Sequence, residues 1–179
     1  MCNVTEILQS NKTVRNVTTR EGIALDIRLA DEHDEAALTA LFAQVSDEDR
    51  CFRFLTAASC VTAAQIDPLI HTDHFHTESF LAVDQPSGQP VASALLACDR
   101  AMDTAEIAVS VRQDYRGKGV GWALLDLLSD EAYLRGVRRV ISIENRANRA
   151  TIELEREKGF TASAVEGDPG LVMLSKSFR

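Results

Sequence analysis

A glycine-rich segment between a strand-like run and a helix-like run most constrains how this chain folds. Residues 116–121 read Arg-Gly-Lys-Gly-Val-Gly, after the alternating run Glu106–Val111 and before the apolar run Trp122–Leu134. Glycine allows the backbone to adopt positive φ and to approach an anion closely. The first amides of a helix have no partner within the helix, and the helix dipole is positive there. The order strand, glycine turn, helix therefore predicts a nest of backbone N–H groups that binds phosphate.

Two common phosphate-binding signatures do not fit this segment. A Walker loop requires G-x-x-x-x-G-K-[ST], but Gly121 is followed by Trp122 and Ala123. A dinucleotide fingerprint requires G-x-G-x-x-G near the first strand, whereas Trp122 stands in the third glycine position and the segment lies two-thirds along the chain. A third pattern, [Q/R]-x-x-G-x-[G/A], is matched by Arg116, Gly119 and Gly121.

Length and charge limit the number of domains and the classes of partner. The chain has 179 residues, which predicts one folded domain over residues 23–179. The polar, threonine-rich residues 1–22 are expected to form an N-terminal arm or an edge strand. The formal net charge of −8 argues against a nucleic-acid partner, and it suits a cationic substrate.

The cysteines and the apolar runs indicate the compartment. Four scattered cysteines form no C-x-x-C pair, which is typical of reduced thiols in a cytoplasmic protein, and we expect Cys51, Cys60 and Cys98 to be buried. There is no apolar run long enough to span a membrane, and Met1–Ser10 lacks the apolar core of a secretory signal. The sequence therefore predicts a cytoplasmic protein that does not contact membranes.

Hydrophobic periodicity predicts an α/β fold. Strands are expected at Ala24–Leu29, Ser79–Val83, Val91–Cys98, Glu106–Val111, Val137–Ile143, Phe160–Val165 and Leu171–Phe178. Helices are expected from the cap Asp31 to about Val45, from Ser46 to Phe54, from Thr62 to near Pro68, after the glycine segment, and over Asn148–Lys158. After the glycine segment, one helical face carries Val120, Leu124, Leu127, Leu128 and Ala132.

The third pattern resembles the pyrophosphate loop of the GCN5-related N-acetyltransferase (GNAT) superfamily, which binds acetyl-CoA. A second match supports it: Asn148 stands eleven residues before Gly159, with Leu154 in the leucine position of N-x-x-A-x-x-L-Y-x-x-x-G-F. The resemblance covers residues 79–178. It implies the GNAT fold, a mixed and mostly antiparallel sheet of about 6–7 strands flanked by about four helices, with a splay between the fourth and fifth strands.

A narrower resemblance covers more of the chain. Ser46–Phe54, Ser79–Val83 and Ala105–Val109 are similar to the acetyltransferase domain of bacterial Pat-type protein-lysine acetyltransferases. It implies that the amine acceptor is a protein lysine. A small polyamine, amino acid or drug-like amine remains an alternative acceptor, and a non-catalytic acyl-CoA-binding sensor domain remains an alternative from another class.

Glu106 is the candidate general base, because the Pat-type resemblance places the catalytic glutamate there. Strand alternation puts Glu106, Ala108 and Ser110 on one face. A carboxylate that takes a proton near neutral pH needs partial burial to raise its pKa. The alternative is that Glu106 simply ends a strand in solvent.

The resemblance also implies the residues that bind acetyl-CoA. Backbone groups of Val109, Ser110 and Val111 would face the pantetheine arm, with an amide near Val111 directed at the thioester oxygen. The pyrophosphate would be held by Arg116, Gly117, Lys118, Gly119, Val120, Gly121 and Trp122. Asn148 would bind the pantetheine or phosphate region, and the alternative is that it caps a helix.

One position departs from the family pattern. Many members carry a tyrosine seven residues after the asparagine, which protonates the leaving thiolate, whereas Glu155 occupies that position here. Because a free thiol has a pKa of roughly 8.5, we expect coenzyme A to leave without a dedicated acid.

The segment His71–Glu78 contains three histidines and two acidic residues. Zinc binding is one interpretation, and a polar loop at the acceptor end of the cleft, as the Pat-type resemblance implies, is the other. We expect no metal. The expected partners are acetyl-CoA and an amine acceptor, in a monomer or a homodimer.

Overall fold

The computed structural model describes residues 14–54 and 60–178. Within these ranges eight strands occur: β1 (Arg15–Thr18), β2 (Ala24–Leu29), β3 (Thr77–Asp84), β4 (Pro90–Cys98), β5 (Thr104–Val111), β6 (Arg139–Asn145), β7 (Thr161–Val165) and β8 (Asp168–Ser177). The same ranges hold five α-helices: α1 (Glu35–Phe42), α2 (Asp47–Phe54), α3 (Ala63–Ile70), α4 (Val120–Leu134) and α5 (Arg149–Glu157). None of these helices has both the length and the apolar character needed to cross a membrane.

All eight strands belong to one sheet in the order β1-β2-β3-β4-β5-β6-β8-β7. Every neighbouring pair is antiparallel except β5 and β6, which run parallel and pair only at Thr104–Glu106 with Arg139–Ile141. Beyond these three pairs the two strands diverge. The α/β class, the mostly antiparallel sheet and the splay are thereby confirmed. The strands that splay, β5 and β6, correspond to the fourth and fifth strands expected from the sequence.

The sheet has more strands than the six or seven expected, because the chain adds β1 at one edge. Arg15 in β1 lies opposite Ile27 in β2, and the two strands are antiparallel. A short, largely exposed four-residue strand carries too little apolar periodicity to be recognised before its partner is known. Residues 1–13 of the expected arm lie outside the described residues.

Helices cover both faces of the sheet. On one face α4 buries the predicted apolar stripe, since Val120, Leu124, Leu127, Leu128 and Ala132 are all at most 6% exposed. Each buried leucine contributes about 1.5–3 kcal/mol relative to an exposed one. On the other face α1 and α3 pack Leu38, Leu41, Phe42 and Ile66 against Leu81 of β3. The two cores thus pack against both faces of the sheet beside the splay.

Two local expectations are wrong. The sequence predicts that α3 ends near Pro68, whereas the helix continues to Ile70. Proline removes one backbone bond, but Leu69 and Ile70 are buried against α1, which offsets that loss. Cys60 is exposed rather than buried, and Cys51 and Cys98 are only partly buried.

Candidate active site

The divergence of β5 and β6 opens a cleft of about 330 Å³. Four structural elements and one adjoining residue line it: Glu106–Ser110 from β5, Ile143 and Glu144 from β6, Asp49, Phe52 and Arg53 from α2, Leu171 from β8, and Asn148 before α5. The cleft therefore joins residues from the two halves of the chain, on either side of the splay.

Glu106 lies at the point where the splay begins. It is the third residue of β5, opposite Ile141 in the last pair before the strands separate. The sequence interpretation that it opens the strand is therefore wrong, because β5 starts at Thr104. Burial lowers the pKa of the neighbouring Arg53, and the negative charge of Glu106 opposes this effect. Glu106 is exposed, so the partial burial expected of a general base is absent in this structure, and its carboxylate shares the wall of the cleft with the half-buried guanidinium of Arg53.

Among the residues that the structure describes, the edge of β5 that faces the splay has no strand partner beyond Glu106. The N–H of Arg112 donates to the carbonyl oxygen of Val91 at 2.9 Å, on the β4 side. Because successive amides of a strand point to opposite sides, the amides of Val109 and Val111 point toward the splay. Val109 and Ser110 line the cleft, and Val111 lies one residue beyond the lined part.

The glycine loop (residues 116–121) leads into α4 as predicted. Gly117 and Gly119 have φ of +71° and +76°, and the first helical bond runs from the Ala123 N–H to the Gly119 carbonyl at 3.1 Å. Within the described ranges, no acceptor contacts the amides of residues 117–122. A cluster of unpaired amides at a helix N-terminus fits a diphosphate.

Gly119 also approaches the β1–β2 turn closely. A Cβ atom at Gly119 would collide with the Glu21 carboxylate and lie 3.0 Å from the Thr19 Cβ. At Gly117 a Cβ would meet nothing within 4 Å. Gly119 is therefore required both for its backbone conformation and for space, and an acidic side chain lies directly beside the amide nest.

The side chains around the glycine loop contact other protein groups. Arg116 Nη1 lies 3.0 Å from Asp49 Oδ2, which links the loop to α2. Lys118 Nζ lies 4.9 Å from the centre of the Tyr115 ring. The Trp122 ring has two cations, those of Arg20 and Lys158, at 3.7 Å. The backbone of the loop is thus open to a ligand while its larger side chains have protein partners.

Asn148 lies at the N-cap position of α5 but makes no side-chain cap bond. Its Nδ2 instead donates to Glu144 Oε2 at 3.3 Å, and its side chain lines the cleft. The structure thus places Asn148 at the cleft, beside a carboxyl group.

A cluster of Ser142, Glu144 and Glu155, here called the carboxyl cluster, was missed by sequence reasoning. Ser142 Oγ lies 2.9 Å from Glu155 Oε1 and 3.3 Å from Glu144 Oε1. Burial raises the pKa of Glu155 to about 8, and the charge of Glu144 adds to the rise. Burial likewise raises the pKa of Glu144 to about 7, with a contribution from Asp49, while the bonds from Ser142 and Asn148 oppose it. Strand alternation puts Ser142 and Glu144 on one face of β6. No local sequence pattern indicates that Glu155 of α5 contacts them.

The histidine segment lies outside this cleft. His71, His74 and His76 each pair with a nearby carboxylate, namely Asp67 at 2.9 Å, Glu78 at 2.8 Å and Asp73 at 3.1 Å. His71 and His74 line a separate hollow with Asp31, Glu32 and His33. The residues of this segment pair back onto α3 and β3, and a role at the acceptor end of the cleft stays a prediction. Among the described residues, no group of three or more metal-ligating side chains was found.

The family model of the acetyltransferase (GNAT) family matches residues 32–160. The chain belongs to this family. An acetyltransferase from Pseudomonas aeruginosa is 28% identical over 138 residues, which cover 75% of this chain and 73% of that protein. An L-methionine sulfoximine/L-methionine sulfone acetyltransferase from the same species is 40% identical over 60 residues, 34% of this chain and 35% of that protein. The protein is accordingly an N-acetyltransferase of the acetyl-CoA-dependent type.

Solved structures show the same fold. The GNAT domain of S. lividans PAT superposes with a TM-score of 0.84 at 25% identity, covering 92% of this chain and 97% of that one. An N-acetyltransferase from Staphylococcus aureus Mu50 superposes with a TM-score of 0.70 at 22% identity, covering 86% and 98%. The GNAT fold expected from the glycine loop is confirmed.

Proposed function

We propose that this protein transfers an acetyl group from acetyl-CoA to the side-chain amine of a protein lysine, by direct attack in a ternary complex with Glu106 as general base. The observation that carries the proposal is the position of Glu106, at the point where β5 and β6 separate. Its carboxylate shares one cleft with the unpaired amide edge of β5.

Backbone groups hold the cosubstrate in this proposal. The amides of residues 117–122 bind the diphosphate, the splay-facing edge from Val109 to Val111 binds the pantetheine arm, and Asn148 contacts the arm from the opposite side. Bound acetyl-CoA supplies an activated thioester, so a neutral amine reacts without a covalent enzyme intermediate. A backbone amide directed at the thioester oxygen stabilises the charge that develops there, and such a donor contributes on the order of 10²–10³ in rate.

Glu106 removes the proton that a lysine side chain carries at neutral pH. The amine has a reference pKa of about 10.4, so it is almost entirely protonated and not nucleophilic in water. A carboxylate at the vertex of the splay accepts that proton where the amine meets the acetyl group. The neighbouring guanidinium of Arg53 balances the negative charge of this carboxylate inside the cleft.

The charge of the cleft supports a cationic acceptor. Asp49, Glu106 and Glu144 line it, with Arg53 as the basic residue in its wall. The carboxylates of Asp49 and Glu106 attract an ammonium group and orient it for deprotonation. The likeness to the GNAT domain of S. lividans PAT, over nearly the whole of both chains, supports the Pat-type resemblance of the sequence, which in turn implies a protein lysine.

A small-molecule amine is the second candidate acceptor. The 40% identity over 60 residues to an enzyme named for L-methionine sulfoximine and L-methionine sulfone favours it. An amino-acid acceptor also presents an amine, so the same base and the same cleft serve both reactions. The two candidates differ in whether a polypeptide or a free small molecule approaches the open side of the cleft.

Calorimetry and an acceptor panel test the proposal. Titration of the full chain with coenzyme A is expected to give one site, and thiol release from acetyl-CoA is expected with amines. A lysine-containing peptide should give a kcat/KM at least about tenfold above those of free lysine, spermidine and methionine sulfoximine, a difference of about 1.4 kcal/mol in transition-state binding. A higher kcat/KM for a free small molecule selects the second candidate. Binding of coenzyme A without thiol release from any amine contradicts both and indicates a non-catalytic domain.

The Glu106→Gln variant tests the base. Its kcat should fall by about 10²–10⁴, the range typical of a positioned acid or base, while the Kd for coenzyme A stays within a few-fold. Asp103→Asn is the matched control, because it removes an exposed carboxylate just before β5. Equal kcat in both variants would remove Glu106 from the mechanism.

A further inference from the structure

The carboxyl cluster contains a buried acid that the reaction described above does not use. Glu155 is 2% exposed, lies in α5, and contacts Ser142 behind the wall of the cleft. Glu144 lies on the cleft side of the same serine and faces the cleft directly. Ser142, also 2% exposed, therefore separates a buried carboxyl group from one that a bound substrate can reach.

The hydrogen count of this arrangement requires an extra proton. Ser142 has one hydroxyl hydrogen, so it makes at most one strong, linear hydrogen bond to its two carboxyl neighbours. The other contact is a hydrogen bond only if that carboxyl group is protonated and donates to the serine oxygen. The chain Glu155–Ser142–Glu144 is therefore satisfied with one proton on the pair of glutamates.

The second oxygen of Glu155 leads to the same conclusion. Within the described chain Glu155 Oε2 is buried and has no hydrogen-bond partner. A buried oxygen without a donor costs much less as part of a neutral carboxyl group than as part of a carboxylate. Burial accordingly raises the pKa of Glu155 to about 8, which favours its protonated form at neutral pH.

The charged groups around the pair also favour a retained proton. Asp49 of α2 faces Glu144 and raises its pKa, although Arg116 pairs with Asp49 at 3.0 Å and moderates that effect. Glu106 of β5 and Arg53 of α2 stand elsewhere in the wall of the cleft. Beside α5, Asn148 donates to Glu144 and favours its anionic form. Glu144 is in turn the charge that acts on Glu155.

We propose that Glu144 is the acid that protonates the leaving thiolate, and that Glu155 acts through Ser142 as the positioning residue that keeps Glu144 supplied with a proton. This inference rests on the proposed acetyl transfer. It replaces the sequence-based expectation that coenzyme A leaves unaided.

The protons and electrons balance. The C–N bond forms as the C–S bond breaks, and the C–S electron pair goes to sulfur. Sulfur takes a proton from Glu144, and Glu155 restores that proton through the Ser142 hydroxyl without movement of a heavy atom. The amine nitrogen loses two protons in the whole reaction, of which one refills the glutamate pair and the other goes to solvent through Glu106.

The ionisation of bound coenzyme A tests the placement of Glu144 without turnover. An anionic Glu144 close to the sulfur disfavours the thiolate. In Glu144→Gln, the thiol of bound coenzyme A should therefore titrate at a pH lower by about one unit than in the wild type, as read from thiolate ultraviolet absorbance. Glu153→Gln, an exposed position on the same side of the splay, should titrate as the wild type does. Equal titration in wild type and Glu144→Gln overturns the proposal.

Kinetics test the role of Glu155. Glu144→Gln should lower kcat about a hundredfold and Glu155→Gln about tenfold, at the lower end of the range for acid–base catalysis, with the KM for acetyl-CoA unchanged. The substituted glutamine has the shape of Glu155 and still bonds Ser142, so a merely structural role would leave both kcat and its pH profile as in the wild type. The proposal expects the high-pH limb of the kcat profile to move to lower pH in Glu155→Gln. An unchanged limb overturns the role of Glu155.

Ser142→Ala keeps both carboxyl groups and interrupts the path between them. It should reproduce the kinetic effect of Glu155→Gln, and wild-type kcat in this variant contradicts a path through the serine. If no amine releases thiol even from the wild type, the proposed acetyl transfer fails, whereas the thiol titration still reports whether Glu144 faces the sulfur. The two failures are therefore distinguishable.

Discussion

The glycine loop and the carboxyl cluster stand on opposite sides of the splay and work in opposite ways. The loop presents main-chain amides, whose chemistry is the same for every residue and whose usefulness depends on backbone conformation. The carboxyl cluster presents side chains, whose proton affinity depends on burial and on neighbours from β6, α5 and α2. The glycine loop therefore tolerates changes of side chain but not of backbone conformation. The carboxyl cluster depends instead on the identity of its side chains.

Gly119→Ala should have the largest effect on the loop side. The positive φ of Gly119 and the 3.0 Å approach to the Thr19 Cβ strain the backbone of an alanine at this position, whereas the exposed Glu21 side chain can rotate aside. Loss of one or two amide bonds to a diphosphate should weaken coenzyme A binding by about tenfold to hundredfold, measured by calorimetry. Gly136→Ala is the control, since Gly136 also has positive φ (+80°) but lies in open space after the other end of α4. Both variants should lose about 1 kcal/mol of stability, and only Gly119→Ala should lose affinity.

Glu155→Gln should change how stability depends on pH. The folded state holds a proton on Glu155 up to a pH of about 8, whereas the unfolded chain releases it near 4.5. The folded protein thus binds more protons over this interval, and the free energy of unfolding falls as pH rises, by up to about 1.4 kcal/mol per pH unit for one group. A glutamine side chain does not ionise, so urea denaturation should show the variant gaining stability relative to the wild type from pH 5 to pH 8. For Glu153→Gln the difference from wild type should not vary with pH, and a similarly flat difference for Glu155→Gln would contradict a raised pKa.

Asp49→Asn should have a moderate effect on the pKa of Glu144, because Asp49 contacts both the glycine loop and the carboxyl cluster. Asp49 pairs with Arg116 of the glycine loop and also raises the pKa of Glu144. Removing its charge should lower the pKa of Glu144 by less than about one unit, measured by carbon NMR titration of the glutamate carboxyl. Glu48→Gln, an exposed neighbour on α2, should leave that titration unchanged. An unchanged titration in Asp49→Asn would show that the two sides are electrically independent.

Glu21→Gln should have the smallest effect, and in the direction of tighter binding. The Glu21 carboxylate lies against Gly119, where its charge opposes a bound diphosphate. Since this side chain is exposed, the gain in coenzyme A affinity should be about two- to fivefold at low salt and should vanish at high salt. Glu166→Gln, far along the chain in the β7–β8 turn, is the control for the change in net charge. Equal affinities for the two variants would show that Glu21 does not act on the nest.

Local patterns were enough to predict the glycine loop and the stripe on α4. The determinants of both lie within one turn and one helix, so a short window of sequence contains them. The sequence also pointed to Glu106 and Asn148, through matches to family motifs. It left open whether residues 1–22 form an arm or an edge strand, and it missed the continuation of α3 past Pro68 and the exposure of Cys60, because packing partners far along the chain decide each of these.

The sequence by itself determined the order of the strands and helices and the main-chain nest at α4, because backbone conformation responds to neighbouring residues. Only the tertiary structure decided that Glu106 stands where β5 leaves β6, and that Glu155 of α5 meets Glu144 through Ser142. Strand register and helix packing bring these groups together, and the loss of water around the buried Glu155 and the half-buried Glu144 then raises the pKa of both. Both effects depend on which residues lie close together in the folded protein, and the order of residues along the chain does not specify this.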